Sequence, residues 1–411
     1  MIYYYISYGY YKLNNKEQSL KAASEGENAS SLYCFPHRIE DYQVLKFIVS
    51  NEFLINDVAD EFTDRNKYAM ANYYLGCLLY DKRLYDKAIE CFEITSELKP
   101  EFPTAHRNLA LAYYNVRMDS EKARAELELA FNLDRTDSRV FMEFDQLKRK
   151  LDEPVEERLG FMKEHMSLVE DRDDMYLEYV TALNTLGIHK EALKEIERRQ
   201  FHTWEGGEGK ISAQYIMALF KLAEEAMKNK DYEAAKALLL RAADEYPHNL
   251  GEGKLESAQE NNIYYYLGLV YEALSDTKTA EACLKKASEG ISEPAGMMYY
   301  NDQPPETIFY QGLAHDKAGN KEEAKARFNK LVTYGKQHLD DIVKIDYFAV
   351  SLPDLLIFDE NLTVRNKKHC LFMMALGYLG LGMTEEYEEN KKKLLDLDSA
   401  HQGIKLISAC F

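Results

Sequence analysis

No apolar run in this 411-residue chain reaches the roughly 18–20 residues that a bilayer-spanning helix needs, so no membrane partner is expected. The start, Met1-Ile2-Tyr3-Tyr4-Tyr5-Ile6-Ser7-Tyr8, lacks a basic n-region and a small-residue cleavage site, so no secretory signal is read. The 6 cysteines (Cys34, Cys77, Cys91, Cys283, Cys370, Cys410) include no CxxC pair. That argues against a zinc ribbon or a disulfide framework and fits small buried thiols in a reducing compartment, so the expected location is cytoplasmic. Positive charge is in deficit: 51 basic against 70 acidic residues leave a net charge of −19. A phosphate backbone needs a basic face, so nucleic acid is not an expected partner. The basic run Lys391-Lys392-Lys393 follows Glu385, Glu386, Glu388 and Glu389 and reads as a solvated helix face. What is plentiful is apolar and aromatic: 46% hydrophobic residues, with 31 Tyr and 18 Phe beside a single Trp, too much for disorder.

Self-similarity organises the chain. Asn72-Tyr73-Tyr74-Leu75-Gly76-Cys77-Leu78-Leu79 starts a helix; Ala88 follows Gly76 by twelve residues, Phe92 follows Ala88 by four, and Pro100 follows Phe92 by eight. This is the spacing of a tetratricopeptide repeat, a helix–turn–helix unit with a period of about 34 residues. Small residues at the Gly76 and Ala88 positions let two helices cross closely, Leu75 and Phe92 are expected to fill the gap to the next unit, and proline stops the second helix. The frame recurs at Tyr264-x2-Leu267-Gly268-x2-Tyr271 with Ala280, Leu284 and Ala287, at Gly312 with Ala324 and Phe328, at Ala223 with Ala235, Leu239 and Pro247, and at Val180 with Ala192 and Ile196. One unit carries an inserted residue: Ala110 to Ala123 is thirteen, after which Leu127 and Ala130 fall into step.

The expected fold class is therefore all-α: a right-handed α-solenoid of tetratricopeptide-like helix–turn–helix repeats, with roughly ten helix pairs. One continuous solenoid is expected over 1–411, with irregular units at 1–60, a regular pair at 69–135, divergent units at 137–200, regular units at 211–335 and degenerate units at 340–411. Tyr3–Leu13 reads as a packed helix, apolar nearly all round and without a cap, where a solenoid end normally turns a polar face outward. The expectation is a missing domain, a partner or a self-association surface against it.

Two segments invite a ligand. Phe201-His202-Thr203-Trp204-Glu205-Gly206-Gly207-Glu208-Gly209-Lys210 holds the only Trp, and Gly251-Glu252-Gly253-Lys254 repeats part of it 44 residues later. In one reading the glycines admit a ligand to the backbone, Trp204 is a stacking face, and Glu205, Glu208, Lys210, Glu252 and Lys254 line a site. In the other, both copies are glycine-bent turns between repeats, and Glu and Lys make salt links between neighbours. Neither is a P-loop, because Ile211 or Leu255 stands where the hydroxyl residue belongs. His202, His248, His369 and His401 lack metal-ligand spacing, and no metal or cofactor is expected. Asp340, Asp341, Asp346, Asp354 and Asp359 offer paired carboxylates for acid–base work, but helix caps and solvated faces account for them as well. No nucleophile elbow, kinase set or dinucleotide fingerprint is present, so no catalytic residue is assigned. Of the tyrosine pairs on first helices (Tyr73-Tyr74, Tyr113-Tyr114, Tyr265-Tyr266), one member of each should face the groove; Tyr73, Tyr113, Tyr265 and Arg107 are the expected groove residues. A carboxylate clamp for chaperone tails is rejected, because Tyr73 and Cys77 occupy two of its places.

Beyond the repeats, several strings resemble one family: Tyr33-Cys34-Phe35-Pro36-His37-Arg38, Phe102–Asn115, Phe201–Lys210, Asn249–Lys254, Asp346–Leu355 and His401-Gln402-Gly403. Together they are similar to the C-terminal repeat half of large bacterial tetratricopeptide proteins, from about Tyr3 to Gly403. In that family an N-terminal β-rich domain of uncharacterised, carbohydrate-related function precedes the repeats. No such domain precedes Tyr3 here, so the resemblance implies a truncated or split product, and any activity of that domain is not carried over. Two functions follow as expectations. One is a non-catalytic scaffold whose concave face binds a protein or peptide, including a β-rich domain of that kind. The alternative is a carbohydrate-linked enzyme or subunit whose saccharide pocket joins the two GEGK loops with Asp346 and Asp354.

Overall fold

A computed structural model describes residues 1–31, 34–50, 68–202, 204, 206–254, 258–296, 302–344 and 357–408. Most of these residues are helical, with no strand among them, as the repeat spacing requires. Contacts divide the chain into two compact units, Met1–Leu151 with Ile357–Asp359, and Asp152–Leu356 with Glu360–Phe411.

The first unit contains α1 (Ile2–Lys12), α2 (Lys16–Asn28), α3 (Ile39–Ser50), α4 (Ala69–Asp81), α5 (Tyr85–Leu98), α6 (Pro103–Ala112), α7 (Ser120–Leu133) and α8 (Ser138–Lys150). The second contains α9 (Val155–Glu164), α10 (Met166–Glu170), α11 (Asp173–Thr185), α12 (His189–Arg198), α13 (Lys210–Lys228), α14 (Tyr232–Ala243), α15 (Asn261–Ala273), α16 (Thr277–Ser288), α17 (Pro305–Lys317), α18 (Lys321–His338), α19 (Leu362–Gly380), α20 (Thr384–Leu395) and α21 (Gln402–Ser408). Successive helices pair as the spacing predicts: α4 with α5, α6 with α7, α13 with α14, α15 with α16, α17 with α18 and α19 with α20.

The small–large pattern has one physical cause, seen three times. A Cβ on Gly76 would sit 2.6 Å from the Phe92 ring, one on Gly268 2.7 Å from Leu284, and one on Gly312 2.3 Å from Phe328. The large residue of the second helix thus lies over the glycine of its own first helix. Phe92 thus closes its own pair, and at the matching place Phe328 also reaches the next unit, where a Cβ on Gly380 of α19 would sit 2.3 Å from its ring. Ala88, Ala123, Ala192 and Ala235 are fully buried at the matching places on second helices.

Most inter-helix turns contain one left-handed residue just after the first helix: Arg83 (φ 61°), Gly187 (77°), Lys230 (61°), Ser275 (65°), Gly319 (82°) and Gly382 (71°). The second helices α7, α14 and α16 begin on a capping aspartate. Asp119, Asp231 and Asp276 each accept from a backbone N–H three residues on, at 3.1 Å. Such caps satisfy donors that the first turn leaves open.

In α1 the buried face carries Tyr4 and Ser7, with Tyr8 meeting Phe47 of α3 edge to face and Tyr11 meeting it at a tilt. Tyr4 is fully enclosed, its ring against Gly26. The helix is therefore two-faced rather than packed all round. Ile2, Ile6 and Leu13 share its outward stripe and are 70%, 41% and 77% exposed.

Candidate functional site

The two glycine-rich copies do meet, and the polar groups of the second close helix ends. Gly209 takes a left-handed conformation (φ 74°) at the start of α13, and that helix's open donors are met by the second copy. One Glu252 carboxylate oxygen accepts from Gly209 N–H at 2.8 Å, and the other accepts from Ser212 N–H at 2.8 Å. A carboxylate is favoured there by both hydrogen bonding and the helix dipole. Lys254 does the converse at the end of α14: its ammonium donates to the Ala243 and Asp244 carbonyls and pairs with Glu260. The backbones clasp as well, since Phe201 N–H donates to the Asn249 carbonyl at 2.8 Å. Gly251 (φ 73°) lies so close that a Cβ there would be 2.6 Å from the Phe201 oxygen. The half-buried Trp204 ring covers Gly207, where a Cβ would be 2.3 Å away. Glu208 and Lys210 are exposed. Glu205, Asp346 and Asp354 lie outside the described residues.

Several of the other titratable candidates have local partners. His202 bonds Asp173 through both its backbone N–H (2.9 Å) and its ring (3.1 Å). Burial works to raise the Asp173 pKa, but bonds from His202 and Arg199 hold it below the ordinary carboxylate value. His369 bonds the Ala295 carbonyl, Asp341 accepts from His338, and His401 stacks on Phe372. Lys391 and Lys393 pair with Glu388 and Glu389 of their own helix. No group of three or more His, Cys, Asp or Glu able to hold a metal occurs among the described residues. Nor, among them, is any helix long and apolar enough to cross a membrane.

Of the expected groove residues, Tyr73 and Tyr265 are half-buried beside the buried Tyr74 and Tyr266. Tyr113 departs from the expectation. It is only 8% exposed, and its hydroxyl donates to Glu93 at 2.8 Å. The reason is register: Tyr73 and Tyr265 precede their small residue by three positions, whereas Tyr113 follows Ala110 by three. Arg107 holds the position equivalent to Tyr73. Its guanidinium forks onto the fully buried Glu143 at 2.6 and 2.7 Å, and Arg139 adds a third bond at 2.9 Å.

A seat that the sequence did not assemble, though it singled out His401-Gln402-Gly403, lies in the second unit, where α21 rests on the first helices α11 and α13. Gln402 is the anchor. Its side-chain amide donates to Thr185 Oγ1 at 2.9 Å and to the Thr181 carbonyl at 3.3 Å, and its oxygen accepts from Gln214 Nε2 at 2.9 Å. Asn184 supports Gln214 by donating to its side-chain and main-chain oxygens at 3.0 Å, and its own oxygen meets His189 at 3.0 Å. Lys221, held by Glu224 at 2.8 Å, donates to the Leu406 carbonyl at 2.5 Å. Ile404 and Ile407 are buried. A cavity of about 310 Å³ remains beside the helix, lined among others by Asn184, His189, Lys221, Glu225, Lys228 and Lys405. The sequence signal for this seat is faint: Asn184, Gln214 and Glu224 are buried polar residues on otherwise apolar helix faces.

Tetratricopeptide-repeat family models match residues 73–132 and, in a second description of the same repeat, residues 217–249 and 306–334. Among solved structures, one titled as the crystal structure of YrrB, a TPR protein with an unusual peptide-binding site, is similar at 14% identity and a TM-score of 0.32. It covers 53% of this chain and 93% of its own. A second, the human IFIT1 dimer with PPP-AAAA, is similar at 14% identity and a TM-score of 0.29, covering 95% of this chain and 89% of its own.

Proposed function

We propose that this chain, which carries tetratricopeptide repeats, is a non-catalytic scaffold that binds a protein or peptide partner as a helix laid across its first helices. The observation that carries the reading is the α21 seat. There a short helix is read by paired side-chain amides, by an ammonium on a main-chain carbonyl and by two buried isoleucines. This is how a groove takes an amphipathic helix: apolar anchors supply affinity, and fixed polar groups supply register. Helical-repeat arrays offer such surfaces because each first helix presents a side to the same groove.

The test is a titration. A labelled peptide of residues 400–408 is added to the full chain carrying Ile404→Asp and Ile407→Asp, which unseats α21. Binding on the order of micromolar is expected, weakened at least tenfold by Gln214→Ala or Lys221→Ala. A folded variant that ignores the peptide sinks the reading.

For the finer partner implied by the resemblance, a β-rich carbohydrate-related domain, the surface we assign is the outward stripe of α1. Ile6→Asp there should abolish association with such a domain, whereas Tyr4 is core and tests only folding. The saccharide pocket receives no proposal. Glu252 and Lys254 are engaged at helix ends, and nothing in the geometry favours a sugar.

A further inference from the structure

The inserted residue between Ala110 and Ala123 has a definite structural outcome. After α6 the chain winds into a five-residue π turn, Tyr113–Arg117, and leaves it through Met118 at φ 54°. A π turn takes up one extra residue without shifting the helices on either side, and it turns side chains to directions that an α-helix does not offer.

Asn115 uses this freedom. Its Nδ2 donates to the Ile357 carbonyl at 2.9 Å, and its Oδ1 accepts from the Asp359 N–H at 2.9 Å. These are the carbonyl before Phe358 and the N–H after it, the two groups that a residue on a neighbouring parallel strand would pair. A side-chain amide has one donor edge and one acceptor edge and reproduces that pairing. Phe358 between them is 1% exposed and meets Tyr114 edge to face at 5.1 Å. The main chain is thus read by Asn115 and the side chain by the Tyr114 ring beside it.

We propose that Asn115 and Tyr114 form a binding site for an extended peptide with an aromatic residue at its centre, and that Ile357-Phe358-Asp359 is its built-in occupant. The argument is chemical. Pairing to a carbonyl and an N–H is indifferent to sequence, so the ring pocket alone selects, and it selects any segment that places Phe or Tyr between two free main-chain groups. A tethered occupant competes at an effective concentration on the order of millimolar. A peptide in trans must therefore exceed that concentration, unless the occupant is weakened. This site is separate from the α21 seat and does not depend on it.

The experiment uses the full chain and a fluorescent hexapeptide centred on Ile-Phe-Asp, followed by anisotropy. Phe358→Ala is expected to bind it at least tenfold more tightly than the unsubstituted chain. Adding Asn115→Ala should remove that gain, and a peptide with Ala in place of Phe should not bind. Should Phe358→Ala lose helicity, amide exchange of Asp359 in the unsubstituted chain decides instead. Protection that falls at least tenfold with millimolar peptide supports the site. Protection unmoved by the peptide, or binding indifferent to Asn115, overturns it.

Discussion

Glu252 shows how a residue that looks available for a ligand can be bound up in its own fold. Both its oxygens accept main-chain N–H groups at the start of α13. Glu252→Ala should therefore lower stability by about 1–2 kcal/mol in a denaturant titration. The exposed Glu208 of the other copy should cost no more than about 0.5 kcal/mol when changed to Ala. Equal effects would mean that the two copies have the same role. His106 carries a second prediction. Its two ring nitrogens face Glu126 at 2.6 Å and the Pro100 carbonyl at 2.9 Å, and the Glu126 bond lifts its pKa above 6.5. The folded state prefers the imidazolium, so this contribution is fully present below pH 6.5 and is lost as pH rises through the raised value. An NMR titration should find His106 above the ordinary value, and Glu126→Gln should bring it down. Neither role was legible from the residues alone. GEGK marked a place, but capping by the second copy is a three-dimensional relation across 40 residues or more.

At the scale of the element, the turns between helices are the most legible part. The sequence places Gly187, Gly319 and Gly382 where a left-handed residue is needed, and the other turns use Arg83, Lys230 and Ser275. A side chain in that region is strained by roughly 1–2 kcal/mol, partly offset because glycine loses more entropy on folding. Lys230→Gly should thus raise stability by up to about 1 kcal/mol, and Gly319→Ala should lower it by about the same amount. Thermal unfolding of the two variants decides; shifts of one sign for both would contradict the account. Gly76, Gly268 and Gly312 could be read as close-contact positions because the same spacing recurs, with a small residue twelve positions on and a large one four beyond it. Tyr113 and Tyr114 look like the pair Tyr73-Tyr74, but they follow their small residue, Ala110, where Tyr73 and Tyr74 precede Gly76, so resemblance between the pairs does not give the same place in the repeat.

For the whole molecule, acid and charge set the limits. Burial holds His369 and His401 below 6.5, with the Lys368 charge adding to the effect on His401 and Asp398 opposing it. Their contribution is present above pH 6.5 and is lost as pH falls through the lowered values, opposite in sign to that of His106. Stability should therefore decline on the acid side of 6.5, and His401→Gln should flatten that decline in a melting series. The net charge of −19 predicts a second behaviour. A single-stranded oligonucleotide should not be retarded at physiological salt, and a retardation that fell steeply with added salt would refute the charge argument. Fold class was readable from the chain because every repeat states it again. The α21 seat was not, since Gln402 and Gln214 are far apart in sequence and lie in no common period.

The π turn also bears on how such a chain can acquire a new property. A three-nucleotide insertion in a coding sequence would flip every later side chain of a β-strand. In a helical repeat it is absorbed within five residues, and here it sets an asparagine where it meets a peptide backbone. Deleting that one codon should return the α6–α7 pair to the spacing of its neighbours, leaving a folded protein without the clamp.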